Sequence, residues 1–262
     1  MLPDGLILAC AALVGAVIGS FLNVCICRLP AGESVVRPRS HCPACGTTIA
    51  WYDNIPVLSW VLLRARCRSC GARISVQYPL VELATALLWL WAAARFGASL
   101  EASRVAVFLT LLLGIALVDA RHFVIPDHFS LGGAALGILA SFAPGAISPL
   151  HAIAGAGVGY GLLKLVEVGG EKVFRKPALG LGDVHMMAMV GAFLGIPGVL
   201  LTLFLGSLLG LVIGVPVAWV RGRLAVMGTY LPLGTFLAMG AAVSEAWGPL
   251  LVAWYLRSFL GG

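Results

Sequence analysis

Charge is scarce in this chain. Only 11% of its 262 residues are Asp, Glu, Lys or Arg, 60% are hydrophobic, and the mean hydropathy is +1.01. No soluble globular domain is so apolar. The net charge of +6 bears on membrane topology and lipid headgroups, and nucleic acid is not an expected partner. Several motifs are missing as well. There is no HExxH, which argues against a zinc metalloprotease, and no P-loop or GxGxxG after a strand, so no nucleotide fold is signalled. No serine has a His and Asp context for a triad. His151 and His185 stand alone and read as structural. Met1 to Asp4 carries an acid where a signal peptide has a basic region, so the first apolar segment is expected to be retained.

Apolar runs fill most of the chain. Backbone groups in lipid must be satisfied within each spanning segment, so the runs read as helices and the fold class as an all-α polytopic membrane protein. About eight spans are expected: Leu6 to Ile26, Pro79 to Phe96, Ala102 to Val118, Phe129 to Phe142, His151 to Val168, Val184 to Ile196, Gly198 to Val220, and Tyr230 to Tyr255 with a break at Gly248-Pro249. Three regions follow: 1–27 as the first span, 28–78 as a polar loop domain, and 79–262 as the main membrane domain. The pairs Gly155/Gly159 and Gly157/Gly161 and the series Gly206/Gly210/Gly214 have the small-xxx-small spacing of close helix packing.

Lysine and arginine set the orientation. If the first span runs from outside to inside, fourteen of the seventeen basic residues fall in inside loops, and only Arg95, Arg104 and Arg257 remain outside. The positive-inside rule supports this alternation. It puts the loop 28–78 in the cytoplasm. It also puts Asp119, which closes the third span, on the same side as Asp183, which opens the sixth.

Those two aspartates are the candidate catalytic residues. Asp183 follows Gly180-Leu181-Gly182 and stands at the mouth of a strongly apolar segment, where an ionisable residue is costly and points to function. Two carboxylates held close share a proton. One then acts as base on a water, while the other polarises a carbonyl and protonates the leaving amine. Taken singly, Asp183 could be a helix N-cap and Asp119 a surface partner of Arg121 or His122. Asp127, after Ile125-Pro126, reads mainly as an N-cap and secondarily as a site residue.

The polar loop holds Cys42-Pro43-Ala44-Cys45 and Cys67-Arg68-Ser69-Cys70, two CxxC pairs twenty-one residues apart. This is the pattern of a tetrahedral zinc site, in which Cys42, Cys45, Cys67 and Cys70 are the metal ligands. A reducing cytoplasmic side disfavours two disulfides. Four thiolates leave no open position for water, so the zinc would be structural. Cys10, Cys25 and Cys27 read as packing residues.

Taken in order, these motifs resemble the bacterial type IV prepilin peptidases. Gly19-Ser20-Phe21-Leu22-Asn23-Val24 with Arg28-Leu29-Pro30 is similar to the family's opening segment. The double CxxC loop, with Asn54-Ile55-Pro56-Val57-Leu58-Ser59-Trp60 between its pairs, is similar to its cytoplasmic domain. Tyr78-Pro79-Leu80-Val81-Glu82-Leu83 matches the entry to the second span. Asp119 to Asp127 and Gly180 to Val184 resemble its two aspartate motifs, and Leu231 to Ala238 its late segment. The resemblance implies a GxGD aspartic endopeptidase of the inner membrane. Asp119 and Asp183 would be its catalytic pair, cutting the short basic leader from prepilins and pseudopilins at the cytoplasmic face. It also implies N-methylation of the new terminus from S-adenosylmethionine, for which the residues themselves give no site. The sequence departs from the family at Arg121, often a second acid, at His185, often Lys, and at Ala65-Arg66, often Gly-Lys. The rival readings are a proton-coupled transporter, with the acids as a relay, and a non-catalytic assembly factor of a pilus or secretion machine.

Overall fold

The computed structural model describes residues 4–175, 179–220 and 232–259. Lys176, Arg221, Arg223, Tyr230 and Leu231, used above for topology, the last span and the late motif, lie outside them. The described residues are helical, apart from short loops and two isolated antiparallel bridges, His41 with Thr48 and Arg66 with Arg73. The helices are α1 (Asp4–Arg28), α2 (Leu58–Leu62), α3 (Gln77–Phe96), α4 (Leu100–His122), α5 (Asp127–Ala140), α6 (Pro149–Phe174), α7 (Leu181–Leu209), α8 (Val215–Val220) and α9 (Leu233–Phe259). Six described helices are long and apolar enough to cross a membrane.

Among the described residues every expected apolar run lies in a helix, but the count of spans differs. The runs 184–196 and 198–220 share one element, α7, which is broken rather than ended at Gly195 (φ 67°, ψ −173°). Glycine tolerates that positive φ, and Pro197 two residues on withholds an N–H from the ladder. A π-helical turn over Gly210–Gly214 then leads into α8. Helix α5 has 14 residues, about 21 Å of rise, which is less than the roughly 30 Å hydrocarbon core. The break expected at Gly248-Pro249 does not occur, since α9 runs through Pro249.

The chain forms two compact units, Met1–Thr110 and Leu111–Gly262. In the first, α1 packs on α3 through glycine. A Cβ on Gly15 would lie 2.8 Å from the Thr85 carbonyl oxygen, and one on Gly19 would lie 2.7 Å from the Glu82 Cα. Only a bare backbone allows that approach. The polar loop belongs to this unit.

In the second unit, α7 is the central element, and it packs against α5, α6 and α9. Past Asp183 and His185 its first half is apolar on all sides, and Val184, Met186, Met187, Met189, Val190 and Ala192 are fully buried. A helix hydrophobic all round belongs in the interior. Gly155 and Gly159 of α6 lie against the Gly191 and Met187 carbonyls of α7. Gly157 and Gly161, with the same spacing, face open space. Gly206 meets Leu237 of α9.

Candidate active site and metal centre

Asp119 lies three residues before the end of α4 and is 5% exposed. A buried carboxylate needs donors. Its Oδ2 accepts two, the Thr235 backbone N–H at 2.7 Å and the Thr235 hydroxyl at 2.9 Å. The same hydroxyl lies 3.2 Å from the Ala116 carbonyl. Either protonation state of Asp119 fits this arrangement. An ionised Oδ2 takes the hydroxyl proton, and a protonated one gives its proton to Oγ1, whose own proton then turns to Ala116.

Asp183 is the third residue of α7 and is half-buried. It is not the N-cap. Gly180 takes that position, and the Asp183 N–H donates to the Gly180 carbonyl at 3.1 Å. Its Oδ1 is buried and has no hydrogen-bond partner within the protein. Both acids belong to the second unit, and the chain around each of them meets one shared residue.

Ile125 sits between them. It is buried in the short connection from α4 to α5, just after Phe123, whose φ is 54°. A Cβ on Gly182 would come within 2.8 Å of the Ile125 Cβ, and one on Gly234 within 2.6 Å of its Cδ1. The latter would also be 3.1 Å from the Asp119 Cγ and Oδ2. Gly182 precedes Asp183 and Gly234 precedes Thr235, so one isoleucine wedged between two glycines keys both aspartate frameworks together. The second glycine of Gly180-Leu181-Gly182-Asp183 is small because Ile125 occupies the space.

Asp127 is not an N-cap either. Pro126 holds that position, and Asp127 begins α5. Its Oδ1 instead pairs with Nδ1 of His185 at 2.8 Å, and Tyr160 stacks on the imidazole at 6.2 Å. His185, read above as structural, ties the first turn of α7 to the first turn of α5. Sequence reasoning assigned no role to Thr235, Gly234 or Ile125. Their only signal is the segment Leu231 to Ala238 and the Ile-Pro-Asp that follows Asp119.

In the loop, the sulfurs of Cys42, Cys45, Cys67 and Cys70 all lie within 4.8 Å of one another. A tetrahedral ion with metal–sulfur bonds of about 2.3 Å asks for sulfur separations of about 3.8 Å. The cluster fits such an ion with small adjustments. Two matching knuckles build it. Gly46 N–H donates to the Cys42 carbonyl at 2.8 Å, and Gly71 N–H to that of Cys67 at 2.9 Å. Both glycines adopt positive φ, 71° and 72°. The Cys42 and Cys67 N–H groups close each knuckle on the carbonyls of Thr47 and Ala72.

The thiols are electrostatically mismatched. The Thr47 hydroxyl and N–H draw the Cys45 thiol down to about 6. The Ala72 N–H favours the Cys70 thiolate, yet the sharing of protons with Cys45, Cys67 and Cys42 together with desolvation pushes that thiol up to about 11. Four thiolates this close repel, and a bound cation is what lets all of them ionise. Beside the knuckles, Arg68 grips Asp53 through two bonds of 2.8 and 2.6 Å and holds its carboxyl below the ordinary range.

A carboxylate pair at one end of a helical membrane unit, with a four-thiol cluster in a loop between two apolar helices, defines a multi-pass membrane protein with one acidic site and one candidate metal centre. Comparison with known proteins narrows the class. The bacterial peptidase A24 N-terminal domain matches residues 13–96, and the type IV leader peptidase family matches residues 106–215. A prepilin leader peptidase/N-methyltransferase of Myxococcus xanthus is 45% identical over 210 residues, covering 80% of this chain and 63% of that protein. One from Pseudomonas putida is 37% identical over 266 residues, 93% of this chain and 91% of that protein. One from Bacillus subtilis is 33% identical over 256 residues, 94% and 97% respectively. No solved structure matches the chain. The chain belongs to the type IV leader peptidase family.

Proposed function

We propose that Asp119 and Asp183 together hydrolyse a peptide bond in the leader of a prepilin. The enzyme is an aspartic endopeptidase that also N-methylates its product, the pair of activities carried in the names of its relatives. One aspartate of the pair is ionised and takes a proton from water as the oxygen attacks the scissile carbonyl carbon. The other is protonated and polarises the carbonyl oxygen through a hydrogen bond. The tetrahedral oxyanion then collapses, the C–N bond breaks, and this second acid gives its proton to the leaving amine, so the pair again holds one proton, now on the first acid. The single observation that carries this reading is Ile125 wedged between Gly182 and Gly234, which ties the frames of both aspartates together, with Asp183 Oδ1 buried and unbonded.

Substrates of this site are type IV prepilins and the pseudopilins of type II secretion, cut where a basic leader meets an apolar helix. The distribution of Lys and Arg supports a cytoplasmic position for both acids and for the loop 28–78. Cys42, Cys45, Cys67 and Cys70 hold a zinc ion, which closes the loop and takes no part in the hydrolysis. S-adenosylmethionine supplies the methyl group, on the strength of the family. A proton relay is disfavoured by position, since each acid lies within a turn of its helix end rather than at mid-span.

The test is cleavage of a purified prepilin in detergent. Asp119→Asn and Asp183→Asn are each expected to remove at least about 10²-fold of the rate, the scale of losing a general acid or base. Wild-type cleavage by either variant would refute the pairing.

A further inference from the structure

The loop that carries the four cysteines presents an apolar face that no described residue of its own unit covers. On α2, Ser59 points inward. Its hydroxyl donates to the Tyr52 carbonyl at 2.9 Å and accepts from the Ile55 N–H at 3.0 Å. Trp60 donates to the Ile74 carbonyl at 3.3 Å. Leu58, Val61 and Leu62, spaced i, i+3 and i+4, share the opposite face. They are 50%, 57% and 71% exposed.

The height of this face is fixed by one hydrogen bond. The N–H of Val57, the residue before α2, donates to Oε2 of the buried Glu82 at 2.7 Å. Glu82 is the sixth residue of α3, about 7.5 Å along a helix apolar enough to span the bilayer. Helix α2 therefore starts level with the first turns of a membrane span, at the depth where interfacial helices lie.

The charge around the face selects an occupant. Residues 28–78 hold seven arginines and two acids, and one acid, Asp53, is engaged by Arg68. Arg64 and Arg66 follow α2 and are exposed. An apolar face rimmed with arginine at the membrane surface matches anionic lipid, whose headgroups pair with arginine while the acyl region takes the side chains. A basic leader peptide would meet like charge there.

We propose that α2 is an interfacial helix that inserts Leu58, Val61 and Leu62 among lipid chains and sets Arg64 and Arg66 on anionic headgroups, docking the cysteine loop flat on the bilayer. This goes beyond the proposed peptidase reaction and does not depend on it.

The experiment is photolabelling of the full-length protein in nanodiscs with a diazirine-bearing phosphatidylglycerol, read by peptide mass spectrometry. Label is expected on the peptide that includes residues 58–66. The triple variant Leu58→Ser, Val61→Ser, Leu62→Ser should lower it at least about tenfold, as should Arg64→Glu/Arg66→Glu at the same probe density. Labelling of α3 and the metal content should stay unchanged, which separates lost docking from lost folding. Absence of label on this peptide while α3 is labelled would overturn the proposal. So would displacement of the label by a soluble leader peptide, which would assign the face to substrate. Peptidase activity in the same nanodiscs reports separately on the aspartates.

Discussion

The wedge at Ile125 makes a prediction that distinguishes two glycines. In Gly182→Ala, the new methyl would be 2.8 Å from the Ile125 Cβ, 3.2 Å from its carbonyl oxygen and 3.4 Å from its nitrogen. Carbon atoms settle at about 3.5–4.0 Å, so the overlap with Cβ is at least about 0.7 Å. These atoms are backbone or fixed to it, and the α7 turn bearing Asp183 must back away. In Gly234→Ala, the nearest atom is the Ile125 Cδ1 at 2.6 Å, the free end of a side chain. A displacement approaching 1 Å in a catalytic group costs on the order of 10²-fold in rate, about 2.7 kcal/mol. Both single variants should lose about that much kcat in a detergent assay with a purified prepilin. Ile125→Val removes only Cδ1. Combined with Gly234→Ala it should recover about tenfold, leaving the residual contact with Asp119. Combined with Gly182→Ala it should recover nothing, because the clashing atoms remain. Ile125→Val alone should cost about 0.5–1.5 kcal/mol of stability and little rate. Equal rescue of both glycine variants, or wild-type kcat in either single variant, would refute the wedge.

Three further expectations follow from the same geometry. Thr235→Val keeps the backbone N–H on Asp119 but removes the hydroxyl, and kcat should fall about tenfold, the scale of one hydrogen bond to a charged group, with KM steady. His185→Ala and Asp127→Ala should each lower kcat by about fivefold and their combination no further, because they break one bond. His185→Asn, whose amide replaces Nδ1 as donor, should restore most of it. Metal analysis should find one zinc per chain, and Cys67→Ser should lose it and shorten the lifetime of the loop to proteolysis while prepilin cleavage persists. Zinc retained in Cys67→Ser would move the ligand set elsewhere.

Much of this was legible in one dimension because it is periodic or local. Twenty-residue apolar runs can only be helices in lipid, and the CxxC spacing makes knuckles whatever surrounds it. Even the candidacy of Asp119 and Asp183 was legible from position, since each stands within a turn of a helix end. What stayed hidden is pairwise and distant. Thr235 reaches Asp119 across 116 residues, and no local pattern announces that. Asp127 has the look of a capping residue beside a proline, yet His185 offers a better partner than its own backbone. The merging of two expected runs into α7 turns on the conformation of Gly195, where Gly-Ile-Pro reads equally well as a loop. Gly155 and Gly157 have the same spacing to their partners, but only the helix rotation decides which one meets α7.

The two knuckles of the cysteine loop repeat one another closure for closure, so the metal stands on a local pseudo-dyad. Such a frame is complete in itself once both halves are present. Residues 50–64, strung between the halves, hang from fixed posts. Their content can be rewritten to suit a different bilayer without disturbing a single ligand.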